Sequence, residues 1–136
     1  MTHVLDTSAA LANILGEPGM ERVRALLKDE GNVVAVSVLT LYEVYTTILH
    51  RTGSDANATE VVAALREAIG AVIPVTEETL TVAFELRRAS TSRLAIADLL
   101  IAATAAQRGA VLVHRDPHFA ALPAGRPAQE ALPDKA

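Results

Sequence analysis

Four short, mostly apolar segments recur along the chain, and each is followed by a stretch with the pattern of a helix. They are HVLD at 3–6, VVAV at 33–36, AVIPV at 71–75 and AVLVH at 110–114. Apolar side chains at successive positions predict strands that are buried on both faces, which is typical of parallel sheets. Strands of this kind alternating with helices indicate an α/β fold. We therefore predict a parallel sheet flanked by helices.

The segments between the strands carry the signals that begin and end helices. Thr7 or Ser8 is suited to cap the helix TSAALANIL, and Ser37 can cap the helix after the second strand. The stretch TEETLTVAFELRRAS opens with a pattern that resembles a capping box. Pro117 suits the first position of a helical turn in DPHFAAL. We predict further helices at 20–31, ending at Gly31, at 56–69 and at 93–108, ending before Gly109.

The chain has 136 residues, a length that suits one domain with a single core. We assign residues 1–122 to this domain. Beyond Leu122, the stretch PAGRPAQEALPDKA has three prolines and no clear periodicity, so we expect residues 123–136 to form a tail that is disordered at its end. The N-terminus lacks the basic region of a secretion signal, and no apolar run reaches the ~20 residues that span a bilayer. We therefore expect a cytoplasmic protein.

The formal net charge of −4 argues against a generally basic nucleic-acid binder. Basic residues are nevertheless concentrated in the sequence around Asp98. This distribution suits either a cationic rim or arginines that are simply solvated on helix surfaces. The residues concerned are Arg87, Arg88, Arg93, Arg108 and Arg115.

Acidic residues follow two of the predicted strands, at the positions where ligand sites gather in open parallel sheets. Asp6 ends the first strand, and Asp116 follows the fourth. Glu43 lies in the helix after the second strand. Asp98 lies in LAIADLLIAATAA, the helix that leads into the fourth strand. The fold can bring all four carboxylates together if the helices that carry Glu43 and Asp98 pack near the same edge of the sheet.

Each acidic residue also has a purely structural interpretation. Asp6 and Asp116 would serve as helix N-caps. Glu43 shares a helix face with Thr40 and Thr47, a pattern typical of a solvated side chain. Asp98 has only apolar neighbours at helical spacing, so a lone buried carboxylate there would need a hydrogen bond or a neutralising partner.

A convergence of four carboxylates would need protons or divalent cations to offset their repulsion. Oxygen ligands favour Mg²⁺ or Mn²⁺ over zinc. Such ions can orient a water molecule, lower its pKa and stabilise the leaving oxygen of a phosphodiester.

Other chemistries fit the sequence less well. There is no cysteine, so disulfides and thiolate metal sites are excluded. No glycine-rich phosphate loop or G-x-S-x-G elbow is present. An aspartyl-phosphate phosphatase would need a second aspartate where Ser8 stands, and the acid pair and lysine of a receiver module are missing. HRDPH places His114, Asp116 and His118 at two-residue spacing, which leaves a zinc site as a minor alternative. Tyr42 and Tyr45 are most simply core residues.

Four blocks of the sequence together resemble PIN-domain ribonucleases in their order and spacing. They are VLDTSA around Asp6, SVLTLYEV around Glu43, ADLLIAATA around Asp98 and VLVHRDPHF around Asp116. Within that family, the chain looks most like the VapC-type toxins of bacterial toxin–antitoxin pairs. The resemblance covers about residues 2–122, nearly the whole chain.

The resemblance implies a three-layer α/β/α fold on a parallel sheet of four to five strands, with Mg²⁺- or Mn²⁺-dependent cleavage of RNA. Asp6, Glu43, Asp98 and Asp116 would be the acidic, metal-binding residues. Ser8 would support the site through hydrogen bonds. A small cognate VapB-like antitoxin would cover and inhibit the site, and toxin homodimers are usual in the family.

Two features of the chain depart from the family pattern. His114 stands two residues before the last aspartate, where family members often have threonine or serine. The final strand is hard to see in PAGRPAQEAL, so we expect it to be short or absent. Two alternative functions stay open, namely a housekeeping PIN nuclease without an antitoxin and a catalytically silent PIN module that binds metal or partners.

Overall fold

The computed structural model describes residues 1–134, which form a five-stranded sheet with six α-helices and one 3₁₀ helix. The strands are β1 (His3–Leu5), β2 (Val34–Ser37), β3 (Ala71–Ile73), β4 (Val111–His114) and β5 (Gln129–Ala131). The α-helices are α1 (Thr7–Leu15), α2 (Met20–Lys28), α3 (Val38–Thr52), α4 (Asp55–Ala68), α5 (Glu77–Ala89) and α6 (Ile96–Gln107). The 3₁₀ helix spans Pro117–Ala121.

The strands are all parallel and lie in the order β3-β2-β1-β4-β5. This arrangement confirms the predicted parallel sheet. The chain builds outward from β1 to β3 on one side and then crosses over to β4 and β5 on the other. The order therefore reverses between β1 and β4, and such a switch point opens a crevice at the carboxyl ends of the strands.

Helices cover both faces of the sheet, which gives the three-layer α/β/α arrangement. Side chains alternate between the two faces along each strand. Val4 and Leu112 belong to the core that contains α5 and α6 residues. Leu5 and Val113 belong to the core that contains residues of α1 to α4. Because both cores are built from aliphatic side chains, the strands are apolar at successive positions, as the sequence indicated.

The helix boundaries differ from the sequence prediction at three points. Asp6 itself caps α1, and neither Thr7 nor Ser8 does so, because the Asp6 carboxylate accepts the N–H of Ala9. Helix α2 ends at Lys28 instead of Gly31, and α6 begins at Ile96 instead of residue 93. Helix α2 ends before its glycine because Asp29 is already extended and its side chain accepts the N–H of Gly31. Ala95, which has non-helical backbone angles, is the residue before α6.

Other local signals were correct. Ser37 caps α3, and Thr76 forms a capping box with Thr79 at the start of α5. Gly109 has φ 62° just after α6, in the left-handed region that favours glycine and ends helices. Pro117 occupies the first turn of the 3₁₀ helix.

The segment beyond Leu122 contributes β5, which pairs with β4. This strand is three residues long, and two of its three side chains are exposed, so it has none of the apolar continuity that marks the other strands. The division of the chain at residue 122 stays a prediction. The disorder expected at the end of the tail falls on residues 135–136, outside the described residues. Within residues 1–134, no helix is long and apolar enough to cross a membrane.

The prediction for Tyr42 was wrong. Its side chain is 69% exposed, while Tyr45, half-buried, packs against the core and donates a hydrogen bond to Asp55. The buried face of α3 includes Leu41, Val44 and Ile48, and Tyr42 lies outside this face.

Candidate active site

Asp6 lies at the end of β1, buried with 3% of its surface exposed. Its Oδ1 accepts the Ala9 N–H at 2.8 Å. The Ser8 hydroxyl lies 2.7 Å from Oδ1 and 2.9 Å from Oδ2 and donates to this carboxylate. Ser8 Oγ in turn accepts the backbone N–H of Arg115, just after β4, at 2.9 Å. Ser8 thus joins the ends of β1 and β4 across the switch point.

Burial raises the pKa of Asp6 to about 7. The Ala9 N–H and the Ser8 hydroxyl act in the opposite direction, since hydrogen bonds to a carboxylate favour its charged form. The negative charges of Asp98 and Asp116 raise the pKa further. Asp6 is therefore both a helix cap and a carboxylate that interacts with two other acids.

Glu43 is directed towards the start of α1. Its Oε1 accepts a hydrogen bond of 2.5 Å from the hydroxyl of Thr7. Thr7 Oγ1 also lies 3.2 Å from the hydroxyl of Thr40, which is fully buried. The face that carries Thr40 and Glu43 is therefore packed against α1 instead of being solvated, contrary to the pattern-based interpretation.

Asp98 lies in the first turn of α6 and is half-buried. Burial raises its pKa, and the negative charges of Asp116 and Glu43 raise it further, with a smaller opposing effect from His118. The apolar spacing around Asp98 in the sequence suggested a carboxylate enclosed by the core. The side chain instead lies at the edge of that core, within electrostatic reach of the other acids.

Asp116 caps the 3₁₀ helix that follows β4, as its alternative interpretation predicted. Its Oδ1 accepts the N–H of His118 at 2.9 Å, and the His118 ring nitrogen Nδ1 lies 2.9 Å from the same oxygen. Capping therefore uses Oδ1. The charge of Asp116 acts on both Asp6 and Asp98, so capping and membership of the acidic group are compatible.

From the sequence, His114 was most simply a surface histidine, with zinc binding as a minor alternative, but the residue is buried, with 6% of its surface exposed. Nδ1 accepts the N–H of Asp116 at 3.1 Å, and Nε2 lies 2.9 Å from Oε1 of Gln129 in β5. With both ring nitrogens occupied, His114 has no lone pair left for zinc. The signal that could have found this contact was the departure from threonine or serine at this position.

Arg115, one of the arginines near Asp98 in the sequence, belongs neither to a cationic rim nor to the solvated surface. Arg115 forms an ion pair of 2.8 Å with Glu17, with both side chains largely buried, and also donates to the carbonyl of Pro18 at 3.0 Å. Its guanidinium thus braces the loop between α1 and α2. Arg93 is exposed and lines a cleft with His118 and Ser92 beside the 3₁₀ helix.

Electrostatic interactions thus link Asp6 to Asp98 and Asp116, and Asp98 to Asp116 and Glu43. Among residues 1–134, no three histidine or acidic side chains form a group that could hold a metal ion between them as they stand. The donor set consists of oxygen atoms alone, which suits Mg²⁺ or Mn²⁺. Mg²⁺ is usually bound by one or two carboxylates together with water and phosphate oxygens, so the residues present fit such an ion.

Comparison with protein families decides the assignment. The PIN domain model matches residues 3–125, which is most of the chain. The chain belongs to the PIN-domain family. No protein of the curated collection matches it by sequence.

Solved PIN-domain toxins share the fold over nearly the whole chain. VapBC2 from Rickettsia felis, bound to a DNA fragment of its promoter, is 20% identical with a TM-score of 0.78, covering 98% of this chain and 100% of that one. DNA-bound VapBC from Salmonella typhimurium is 22% identical with a TM-score of 0.75, covering 96% and 98%. Mycobacterium tuberculosis VapC20, a toxin that cleaves the sarcin–ricin loop, is 26% identical with a TM-score of 0.64, covering 88% and 94%.

Proposed function

We propose that this PIN domain is the toxin of a type II toxin–antitoxin system and acts as a metal-dependent endoribonuclease. The observations that support the proposal are that Asp6 and Asp116 follow the paired strands β1 and β4, and that Asp98 interacts electrostatically with Asp6, Asp116 and Glu43. The pKa values of Asp6 and Asp98 are raised partly by the charges of the other acids. Carboxylates that repel one another in this way are neutralised either by protons or by a divalent cation, so the site is suited to such a cation.

Asp6, Glu43, Asp98 and Asp116 would hold Mg²⁺ or Mn²⁺. When bound, such an ion lowers the pKa of a water molecule and stabilises charge on the scissile phosphate and its leaving oxygen. The chain's own residues set the directions of the carboxylates. Ser8 holds Asp6, Thr7 holds Glu43, and the first turn of α6 presents Asp98.

RNA is the substrate class that we propose. A member of the fold that is 26% identical is a toxin that cleaves the sarcin–ricin loop, which supports RNA cleavage as the activity. We further propose that a VapB-like antitoxin inhibits the protein in the cytoplasm and that the toxin forms homodimers. The complexes from Rickettsia felis and Salmonella typhimurium, which contain antitoxin and DNA, support this choice of partner.

The experiment compares the purified wild type with Asp98→Asn on structured and single-stranded RNA, with Mg²⁺ or Mn²⁺ and then with a chelator. Glu67→Gln, which changes an exposed carboxylate on α4, is the matched control. We expect cleavage by wild type and control only with metal, and none by Asp98→Asn. Equal activity of Asp98→Asn would overturn the proposed role of the acids.

Expression in a bacterial host distinguishes a toxin from the alternatives. We expect wild type to arrest growth, Asp98→Asn to be harmless, and coexpression of the antitoxin encoded beside the gene to restore growth. Cleavage in vitro without arrest would indicate a housekeeping PIN nuclease. Failure to cleave any RNA after removal of a bound partner would indicate a catalytically silent module.

A further inference from the structure

The ring of His114 links the last strand of the sheet to the backbone of Asp116. His114 ends β4, two residues before Asp116, and its two nitrogens contact Asp116 and Gln129 at 3.1 and 2.9 Å. We propose that His114 is a positioning residue for Asp116, held in its tautomer and orientation by Gln129 of β5. The proposal rests on the proposed function, since it assigns a role to Asp116 in metal binding.

The hydrogen bonds run in one direction, which fixes the tautomer. A backbone N–H can only donate, so the Nδ1 atom that meets Asp116 must be the bare acceptor nitrogen. In the neutral ring, Nε2 then carries the hydrogen and donates to Oε1 of Gln129. The amide nitrogen of Gln129 in turn donates to the carbonyl of Phe119 at 3.2 Å.

This chain of hydrogen bonds closes on the element from which it starts. It begins at the N–H of Asp116, which caps the 3₁₀ helix, and ends at the carbonyl of Phe119 within that helix. The His114 and Phe119 rings also pack, with centroids 4.8 Å apart, and Phe119 is fully buried. The turn that carries Asp116 is therefore tied at both ends to one imidazole and one amide.

A fixed turn fixes the direction of its carboxylate. Asp116 uses Oδ1 to cap the helix through the N–H of His118, so a rotation of the turn would redirect the whole side chain. His114 acts on this geometry through the backbone of Asp116 and does not itself reach the substrate. Because Gln129 of β5 holds the ring of His114, β5 also supports the site, although it is a polar strand at the edge of the sheet.

Three substitutions of His114 test the contacts of its two ring nitrogens separately. Asn places an oxygen near the position of Nδ1 and so retains an acceptor for Asp116. Gln reaches the position of Nε2 and retains only the contact with Gln129. Phe keeps the ring and its packing on Phe119 but removes both hydrogen bonds. Gln129→Leu removes the support from β5. Gln107→Leu, which loses a hydrogen bond from Thr79 between α5 and α6, is the matched control.

The measurements are Mn²⁺ affinity by titration calorimetry and unfolding by urea without metal. We expect His114→Phe and His114→Gln to weaken Mn²⁺ binding by about tenfold or more, as losses of supporting contacts commonly do. His114→Asn should stay much closer to wild type. Gln129→Leu should weaken Mn²⁺ binding, whereas Gln107→Leu should not.

A structural role alone would give a different pattern. If His114→Phe lowers the stability to urea but leaves Mn²⁺ affinity unchanged, or if His114→Gln binds Mn²⁺ as well as His114→Asn, the positioning role is overturned.

The proposed function fails separately, through Asp98→Asn. If wild type and Asp98→Asn bind Mn²⁺ equally or not at all, both proposals are overturned. If only wild type binds and His114→Phe matches it, the inference about His114 alone is overturned.

Discussion

The hydroxyl of Thr7 donates a hydrogen bond of 2.5 Å to Oε1 of Glu43, which ties the first residue of α1 to the second turn of α3. Glu43 lies six residues beyond the end of β2, within α3, so no strand end places it directly. This contact brings the Glu43 carboxylate to the first residue of α1, which follows Asp6 in the chain. The position of its carboxylate therefore depends on a single hydroxyl.

We predict that Thr7→Val impairs the nuclease, whereas Thr7→Ser does not. Valine has nearly the shape of threonine but no donor, so Glu43 loses the contact that directs it. Loss of such a supporting hydrogen bond commonly costs about 10- to 100-fold in activity or metal affinity. The measurement is kcat/KM on RNA together with Mn²⁺ affinity. Equal loss in Thr7→Ser and Thr7→Val would show that the methyl packing, and not the hydroxyl, matters.

The stability of the metal-free protein should depend on pH through Asp6. Its pKa is about 7 in the folded state and near its ordinary value of ~4 in the unfolded chain. Between these two pKa values the folded protein binds more protons than the unfolded chain. The free energy of unfolding therefore falls as pH rises from ~4 to about 7 and is constant above that. Asp6→Asn removes this dependence but keeps an oxygen to cap α1.

The measurement is urea unfolding of wild type and Asp6→Asn in a chelating buffer at a series of pH values. We expect the stability of Asp6→Asn relative to wild type to increase across that window. Asp98→Asn should show a change in the same direction, because burial also raises the pKa of Asp98. A constant difference between wild type and Asp6→Asn at all pH values would contradict a raised pKa for Asp6.

The stabilisation of the fold by bound Mn²⁺ should increase with pH, opposite to the trend of the metal-free protein. Carboxylates bind cations in their charged form, so Mn²⁺ must displace the proton of Asp6, and its affinity should rise with pH up to about 7. Bound metal stabilises the fold in proportion to the logarithm of its concentration over Kd. We therefore expect Mn²⁺ to raise Tm more at pH 8 than at pH 6, measured by thermal unfolding. An equal shift in Tm for Asp98→Asn would contradict binding at this site.

The parallel sheet and the place of the acids at its edge could be predicted from the sequence, because both depend on periodic or local signals. Runs of apolar residues mark the central strands, and Asp6 and Asp116 directly follow two of them. The crossover that places β4 beside β1 then brings the two aspartates together.

Features that depend on contacts between distant segments could not be predicted in this way. The face of α3 that carries Glu43 is polar in the sequence but is packed against α1 by Thr7 and Thr40. Strand β5 is short and polar, and it is held by its pairing with β4 and by contacts such as that of Gln129 with His114. In each case a side-chain hydrogen bond between segments, and not a periodic pattern, determines the structure.

The contacts of Arg115 could not be predicted from the sequence either, because they join distant segments. In the sequence it belongs to a group of arginines near Asp98, but its side chain is 8% exposed and pairs with Glu17, which is 14% exposed. Removal of one partner of a largely buried pair takes away the attraction that offsets the desolvation of the other charge, at a cost of about 3 kcal/mol. We expect Arg115→Met to lower the free energy of unfolding by about that amount, measured in urea.

Neutralising the remaining charge should recover part of this loss. In the double variant Arg115→Met/Glu17→Gln, the buried carboxylate is replaced by an amide that carries no charge, so the stability should lie between those of Arg115→Met and wild type. If the double variant is no more stable than Arg115→Met, the loss would arise from the packing of the arginine and its bond to the Pro18 carbonyl, and not from the lost attraction to Glu17. In either case the guanidinium of Arg115 is engaged in stabilising the loop between α1 and α2. The exposed Arg93 is therefore the better candidate to contact the proposed RNA substrate beside the acids.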